Sequence, residues 1–271
     1  EWLLGAFLPF FALKKKMKNY IVRTFLKGRV QRINSYTNNA HSLQKKQLKK
    51  LLTTAKDTLF GKTFEFEKIH SYKEFSEKVP LQSYEQIQPW IGKMLRGEDN
   101  ILWPGKIKYF AQSSGTSDAK SKYIPISEET FEHCHYKGGL DAVALYLQMN
   151  PNSRFFSGKG LILGAGAPEM MNKNKVGLLS GLLVEHVNPL LNLIRTPSLK
   201  MAMIRDFSEK IEEILPVILR KNITNISGIP SWYQVLFQTI KDKTGEEDIS
   251  NIWPNLEVFF HGGVSFEPYK D

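Results

Sequence analysis

Tyr109-Phe110-Ala111-Gln112-Ser113-Ser114-Gly115-Thr116-Ser117-Asp118-Ala119-Lys120-Ser121-Lys122-Tyr123-Ile124-Pro125 is the stretch around which the rest of the sequence arranges itself. Residues 107–110 form a short apolar run that reads as a strand. It opens into four hydroxyl residues set around Gly115, two lysines follow, and a second apolar run begins at Tyr123. Hydroxyls and backbone N–H groups donate hydrogen bonds, and ammonium groups neutralise charge, which are the needs of a polyphosphate. Gly115 would let the backbone approach a ligand closely. The stretch lacks the G-x-x-x-x-G-K-[ST] spacing of a Walker loop and the three spaced glycines of a dinucleotide fingerprint. On residue types alone two readings stay open: a phosphate cradle, or a flexible polar connection between two strands.

Outward from this stretch, apolar runs alternate with helical patterns. Leu43, Leu48, Leu51 and Leu52 approach helical spacing and predict a helix over 40–56, with Gly61 as its C-cap. Ser71 followed by Glu74 predicts a capped short helix. Residues 84–96 read as a helix interrupted at Pro89. Ser127 with Glu128 and Glu129 starts another that runs to Met149. Residues 160–164 and 177–184 read as buried strands, 199–221 as a helix, and 223–226 as a strand. A helix follows over 231–241, closed at Gly245, and then a strand over 256–260. Wholly apolar strands between helices predict an α/β fold of layered mixed or parallel sheets with flanking helices.

Composition bounds the alternatives. A chain of 271 residues with 42% hydrophobic and 24% charged residues has enough material for a sizeable core. The single cysteine, Cys134, rules out an internal disulfide framework and fits a reducing, cytoplasmic setting. It sits beside His133 and His135 but lacks the further spaced ligands of a zinc site, so no metal-ligating residues are assigned. The net charge of +10 is uneven: residues 1–56 carry 13 lysines and arginines against one acid, Glu1. Such a segment could meet membrane phosphates or nucleic acid. A solvated basic helix face, or one that packs against an acidic partner surface, is favoured, because no aromatic-and-basic nucleic-acid signature accompanies it. Residues 2–13 are apolar but too short to span a bilayer, and their lysines follow rather than precede them, unlike a secretory signal. They read as the buried or interfacial face of a helix, and contact with a membrane surface is not the favoured reading.

The motifs then converge. Ser113-Ser114-Gly115-Thr116-Ser117 with Lys122-Tyr123-Ile124-Pro125 resembles the first ATP-binding motif of the Gretchen Hagen acyl acid–amido synthetases, first known as auxin-responsive plant proteins, within the adenylate-forming superfamily. Ser227-Gly228-Ile229-Pro230-Ser231-Trp232 is similar to the strand-to-helix turn before that superfamily's acyl-pocket helix. The run from Asn255 to Ser265, with its Gly262-Gly263 turn, is similar to the strand and turn that lie against adenine. Thr54-Ala55-Lys56-Asp57-Thr58-Leu59-Phe60-Gly61-Lys62 after a basic helical start resembles bacterial members.

The resemblance implies an ATP-dependent ligase that joins a carboxylic acid to an amine, with an amino acid favoured, through an acyl-AMP. It implies that Ser113, Ser114, Gly115, Thr116 and Ser117 hold the ATP phosphates and that Lys122 is the catalytic basic residue. Gly262, Gly263, Val264 and Ser265 would bind adenine, and Trp232 and Tyr233 would line or back the acyl pocket. As residues alone, Trp232 and Tyr233 read rather as part of an apolar helical stripe in the core, and Gly262-Gly263 as an ordinary strand-ending turn. Asp118-Ala119 departs from the glycine often found at the loop's tip. The Mg²⁺ ligand, the ribose-binding Asp and the mobile C-terminal domain of the family would lie beyond Asp271. The chain therefore reads as an N-terminal fragment: a basic helical segment over 1–60 and an incomplete large domain over 61–271, inactive alone. The competing functions are a ligase with coenzyme A as acceptor, and a non-catalytic membrane-surface or nucleic-acid-binding module using the basic N-terminus.

Overall fold

The structure, a computed structural model, describes residues 15–113 and 121–270. Its elements in chain order begin with helices α1 (Lys15–Ala55), α2 (Leu59–Thr63), α3 (Tyr72–Lys78) and α4 (Tyr84–Leu95). Strands β1 (Tyr109–Gln112) and β2 (Tyr123–Ile126) follow, then a π-helical turn (Thr130–Tyr136) that leads into α5 (Lys137–Met149). Next come β3 (Lys159–Ile162), β4 (Glu169–Met171), β5 (Asn174–Gly177), α6 (Leu179–His186) and β6 (Arg195–Thr196). The last part holds α7 (Leu199–Ala202), α8 (Phe207–Ile218), β7 (Ile223–Gly228), α9 (Pro230–Thr244), α10 (Ile249–Ile252) and β8 (Val258–His261).

The chain divides into two compact units. One comprises residues 29–141 and 168–182 and contains a mixed sheet in the order β2-β1-β5-β4. In it β1 runs parallel to β5, while β2 and β4 are antiparallel to their neighbours. Its core gathers Ile91, Met94, Ile101, Ile107, Phe110 and Val176. The other unit comprises residues 1–28, 142–167 and 183–271 and contains a wholly parallel sheet in the order β6-β3-β7-β8. Leu161, Ile214, Ile218, Ile223, Leu236 and Trp253 are buried there. One mixed and one parallel sheet with flanking helices is the layered α/β architecture expected from the alternation of patterns.

Several local expectations change. The helix over 40–56 is the end of α1, which begins at Lys15 and passes through 41 residues without a proline or an acid. Gly61 is not a C-cap. Thr58 caps α2, donating to the Ala55 carbonyl at 2.6 Å and accepting from Gly61 N–H at 3.0 Å. A Cβ on Gly61 would sit 2.0 Å from the Ala55 carbonyl oxygen, so the glycine is there for close backbone approach. Pro89 does not interrupt α4: it forfeits one hydrogen bond on an exposed face, and the Ser83–Gln86 capping box holds the start. Residues 179–186 are helix rather than strand, because a short apolar run carries no periodicity that separates the two. The helix over 199–221 is two helices, with Asp206 accepting from Glu209 N–H at 2.8 Å to cap α8. The β4–β5 hairpin escapes sequence reading altogether. Its two-residue turn uses Asn172 at φ 49° and Lys173 at φ 65°, a primed turn built without glycine.

Candidate functional site

The residues singled out in the sequence fall in both units. In the unit with the mixed sheet, Ser113 follows β1 and its N–H donates to the Lys122 carbonyl at 3.0 Å, closing the mouth of the β1–β2 hairpin. Ser114, Gly115, Thr116 and Ser117 lie outside the described residues. The flanks are held from α4. The Tyr84 hydroxyl accepts from Tyr123 N–H at 2.7 Å and stands 3.3 Å from the Tyr123 carbonyl. Its ring lies under the Lys122 ammonium, 5.1 Å from Nζ to the centroid. A cation over an aromatic ring at a half-exposed site is worth only about 0.5–1 kcal/mol. Lys122 is therefore placed beside the hairpin mouth by a contact weak enough to be exchanged for an anion. Sequence reading missed Tyr84; its one signal was an aromatic residue directly after the helix cap Ser83.

In the other unit the parallel sheet supplies the geometry. From β3 the chain first adds β6 on one side, then crosses back to add β7 on the other, and β8 beyond it. The order reverses between β3 and β7. In open parallel sheets ligands bind outside the carboxyl ends of the strands at such a reversal. Three segments leave the carboxyl ends there: residues 164–167 after β3, Ile229 and Pro230 after β7, and residues 262–265 after β8.

Glycine shapes two of these exits. Gly228 adopts φ 155°, and a Cβ on it would stand 2.6 Å from the Leu163 carbonyl oxygen and 3.0 Å from the Tyr233 ring. Gly263 adopts φ 86°, in the left-handed region, and a Cβ on Gly262 would meet nothing within 4 Å. Residues 261–265 are exposed. His261 stacks on Phe266 with centroids 4.4 Å apart, and Ser265 Oγ accepts from Glu267 N–H at 3.4 Å. The turn thus offers exposed backbone at a strand's carboxyl end. The other end of β8 is fixed by Glu257, which accepts from Arg154 N–H at 2.8 Å and from the Ser153 hydroxyl. Burial, with Glu257 nearby, pushes the Tyr146 phenol up to about 12.

Tyr233 belongs to the core. It is 1% exposed, and its hydroxyl donates to the Leu161 carbonyl at 2.7 Å and accepts from Ser227 N–H at 3.2 Å. It bridges β3 and β7 below the reversal and has no polar group left for a ligand; any pocket role is as a backing wall. Trp232 is half-buried and packs against Phe207 with centroids 5.5 Å apart.

One feature here left no sequence signal. Lys210, on α8, is 2% exposed, and its ammonium donates to the Gly164 carbonyl at 2.8 Å. Burial lowers its pKa below the ordinary lysine value. Arg205 adds a hydrogen bond from Nε to the Ala167 carbonyl at 3.1 Å, and Ala167 N–H donates to the Met203 carbonyl. A lysine inside an amphipathic helix reads as solvated; only the fold shows it turned inward to brace the exit of β3. Among the described residues no group of three or more His, Cys, Asp or Glu side chains is placed to hold a metal ion. None of their helices is long and apolar enough to cross a membrane.

Comparison with known proteins bears on the family and the fold. A family model described as the GH3 family N-terminal domain matches residues 29–271. Indole-3-acetic acid-amido synthetase GH3.2 of Arabidopsis thaliana is 35% identical over 101 residues, which are 37% of this chain and 18% of that protein. The 4-substituted benzoates-glutamate ligase GH3.12 of the same plant is 28% identical over 96 residues, 35% of this chain and 16% of that protein. Among solved structures, a GH3.15 acyl acid amido synthetase superposes with a TM-score of 0.67 at 15% identity, covering 86% of this chain and 50% of that one. A GH3.15 enzyme in complex with 2,4-DB superposes with a TM-score of 0.65 at 20% identity, covering 81% of this chain and 39% of that one. At these identities the superpositions speak to the fold. The matched stretch is less than a fifth of the curated relatives' length, and half or less of the solved structures.

Proposed function

This chain belongs to the GH3 family, and we propose on that premise that it is the ATP-binding part of a ligase that activates a carboxylic acid as its adenylate and transfers the acyl group to an amine. The observation that carries the proposal is the reversal in the parallel sheet, where the exits of β3, β7 and β8 present close-packed glycine turns and exposed backbone. A purine needs flat, open backbone at a strand's end, and Gly262, Gly263, Val264 and Ser265 suit it. Trp232 is offered to the acyl group, with Tyr233 as the wall behind.

In the hairpin, Ser113 with Ser114, Gly115, Thr116 and Ser117 is proposed to hold the phosphates. When the acid's carboxylate attacks the α-phosphorus, the bond to the leaving pyrophosphate breaks and negative charge grows on the β- and γ-phosphates. Hydroxyl donors and the Lys122 ammonium directed there stabilise the transition state more than the ground state. The amine then attacks the acyl carbon and releases AMP. Mg²⁺ would neutralise the leaving pyrophosphate. An amino acid acceptor and an aromatic acid are supported by the names of the relatives, an indole-3-acetic acid-amido synthetase and a benzoates-glutamate ligase. Residues 61–271 are proposed as an incomplete large domain. A cytoplasmic setting is supported by the lone exposed cysteine, Cys134.

The test is ATP–pyrophosphate exchange by the full-length protein against a panel of carboxylic acids led by aromatic ones. Acid-dependent exchange, with amide formed on adding amino acids, is the expected result. Folded protein that binds ATP but exchanges with no acid would refute it, and an acyl-coenzyme A product would replace the amine acceptor with a thiol.

A further inference from the structure

The C-terminal half of α1 and the segment from Phe66 to Phe75 enclose a groove of about 1180 Å³. It lies within one unit, since all its lining residues fall between 29 and 141. Its floor is apolar: Leu52 and Ile69 are buried, and Leu48, Phe66 and Phe75 lie half-exposed beside them. Its rim is basic, with Lys45 and Lys49 from α1, Lys56 just past the helix end, and His41 and His70 near them. One acid lines it, Glu67, and this pairs with Lys56 at 3.8 Å. Among the described residues no carboxylate pairs with Lys45 or Lys49, both exposed. The helix that carries them has 11 lysines and arginines and no acid. A second basic hollow, lined by Arg29, Lys137 and Asp141 among others, differs here: Arg29 bonds Asp141 at 2.8 Å and Lys137 bonds Glu132 at 2.8 Å. Its charges are partly spent inside the chain, whereas those on the groove's rim are not.

We propose that this groove docks an acidic amphipathic helix of a partner protein, with its apolar face on Leu48, Leu52 and Phe75 and its carboxylates on Lys45 and Lys49. The dimensions suit that occupant. From His41 to Ala55 the helix rises roughly 21 Å at 1.5 Å per residue, which matches a partner helix of about 15 residues. Side chains set at i, i+4 and i+7 reach into a groove of this kind. The charge argues against a second copy of this chain, since the same basic helix would meet itself. The volume exceeds the roughly 300–1,000 Å³ of ordinary small-ligand pockets, and the concave floor does not suit a flat bilayer.

The experiment uses the folded chain and a fluorescent 16-residue peptide with leucines at i, i+4, i+7 and i+11 and glutamates on both flanks. A peptide of the same composition in scrambled order is the control. Anisotropy should show saturable binding of the patterned peptide and at least tenfold weaker binding of the scrambled one. Lys45→Glu with Lys49→Glu, both on exposed positions, should weaken binding by about tenfold or more, as reversing charges at an interface does. Equal binding of both peptides would overturn the proposal as mere charge attraction. So would binding that the double reversal leaves unchanged, no binding at low salt, or binding to anionic phosphatidylserine vesicles that the patterned peptide fails to displace.

Discussion

Lys210 gives the sharpest test of how the exit of β3 is braced. Its ammonium is buried with a single carbonyl acceptor, Gly164, and no carboxylate beside it among the described residues. Replacing it with alanine removes three buried methylenes, worth about 2.4 kcal/mol at ~0.8 each. It also leaves the Gly164 carbonyl unpaired, at about 1–3 kcal/mol. Against this stands the relief of no longer holding an ammonium away from water, a penalty of several kcal/mol that one hydrogen bond recovers only in part. Lys210→Met keeps the volume of the stem and collects the same relief, so its stability at pH 7 should lie within about 1 kcal/mol of the parent. Lys210→Ala should fall about 2–4 kcal/mol below Lys210→Met.

The pH dependence separates charge from packing. Burial depresses the folded pKa of Lys210 below its unfolded value of 10.5. Between the two, the unfolded chain binds more protons than the folded one, so stability rises with pH at up to about 1.4 kcal/mol per unit. The penalty is fully present below the folded pKa and gone above 10.5. Urea unfolding followed by tryptophan fluorescence from pH 7 to 10.5 should therefore show the parent gaining on Lys210→Met as pH rises. A parent-minus-Met difference that stays flat or falls would refute the reasoning. So would Lys210→Met losing as much stability as Lys210→Ala, which would make the ammonium a net stabiliser.

Three further outcomes follow from the geometry. Gly228→Ala forces a Cβ to 2.6 Å from the Leu163 carbonyl oxygen at a φ of 155°; it should cost about 3 kcal/mol, and an unchanged urea midpoint would contradict the close approach. Tyr84→Phe removes the acceptor for Tyr123 N–H; a loss of about 1–2 kcal/mol and faster hydrogen exchange at Tyr123 are expected, while unchanged exchange would show that water replaces the hydroxyl at no cost. Lys122→Ala in the full-length protein should lower acid-dependent pyrophosphate exchange by about 10²-fold or more with the urea midpoint nearly unmoved, because the cation–π contact contributes little; undiminished exchange would remove Lys122 from the proposed site.

The sequence was most informative where one residue type can serve one purpose. Gly245 ends α9 in the left-handed conformation its position predicted, at φ 73°. Ser71 caps α3 as read, accepting from Glu74 N–H at 3.2 Å, although the Glu74 carboxylate reaches back to His70 N–H rather than to Ser71. Legibility failed where a pattern serves two ends. The apolar run after Gly177 suits a strand or a buried helix, and Gly61 suits a cap or a close contact; only tertiary neighbours decide. The β4–β5 turn failed for another reason: Lys173 at positive φ is a conformation its residue type does not announce. In the candidate site, the motifs marked the glycine turns but not their supports. Tyr84 and Lys210 act through neighbours 39 and 46 residues distant in the chain, Tyr123 and Gly164, and no local spacing records such a pairing.

The parallel sheet ends abruptly on β8. Among the described residues that strand pairs only with β7, so its outer row of amides and carbonyls is left without a ladder partner. The opposite edge, β6, is two residues long and gives little purchase, but β8 is a four-residue run that includes Val258, Phe259 and Phe260. Parallel sheets are rarely left open in this way, and natural edges of such composition are blunted with charge, proline or a covering segment. That edge is a template for adding a foreign strand. The chain's solubility limit should be set by edge-to-edge association at β8, and a lysine in place of His261, the exposed residue of the strand, should raise that limit.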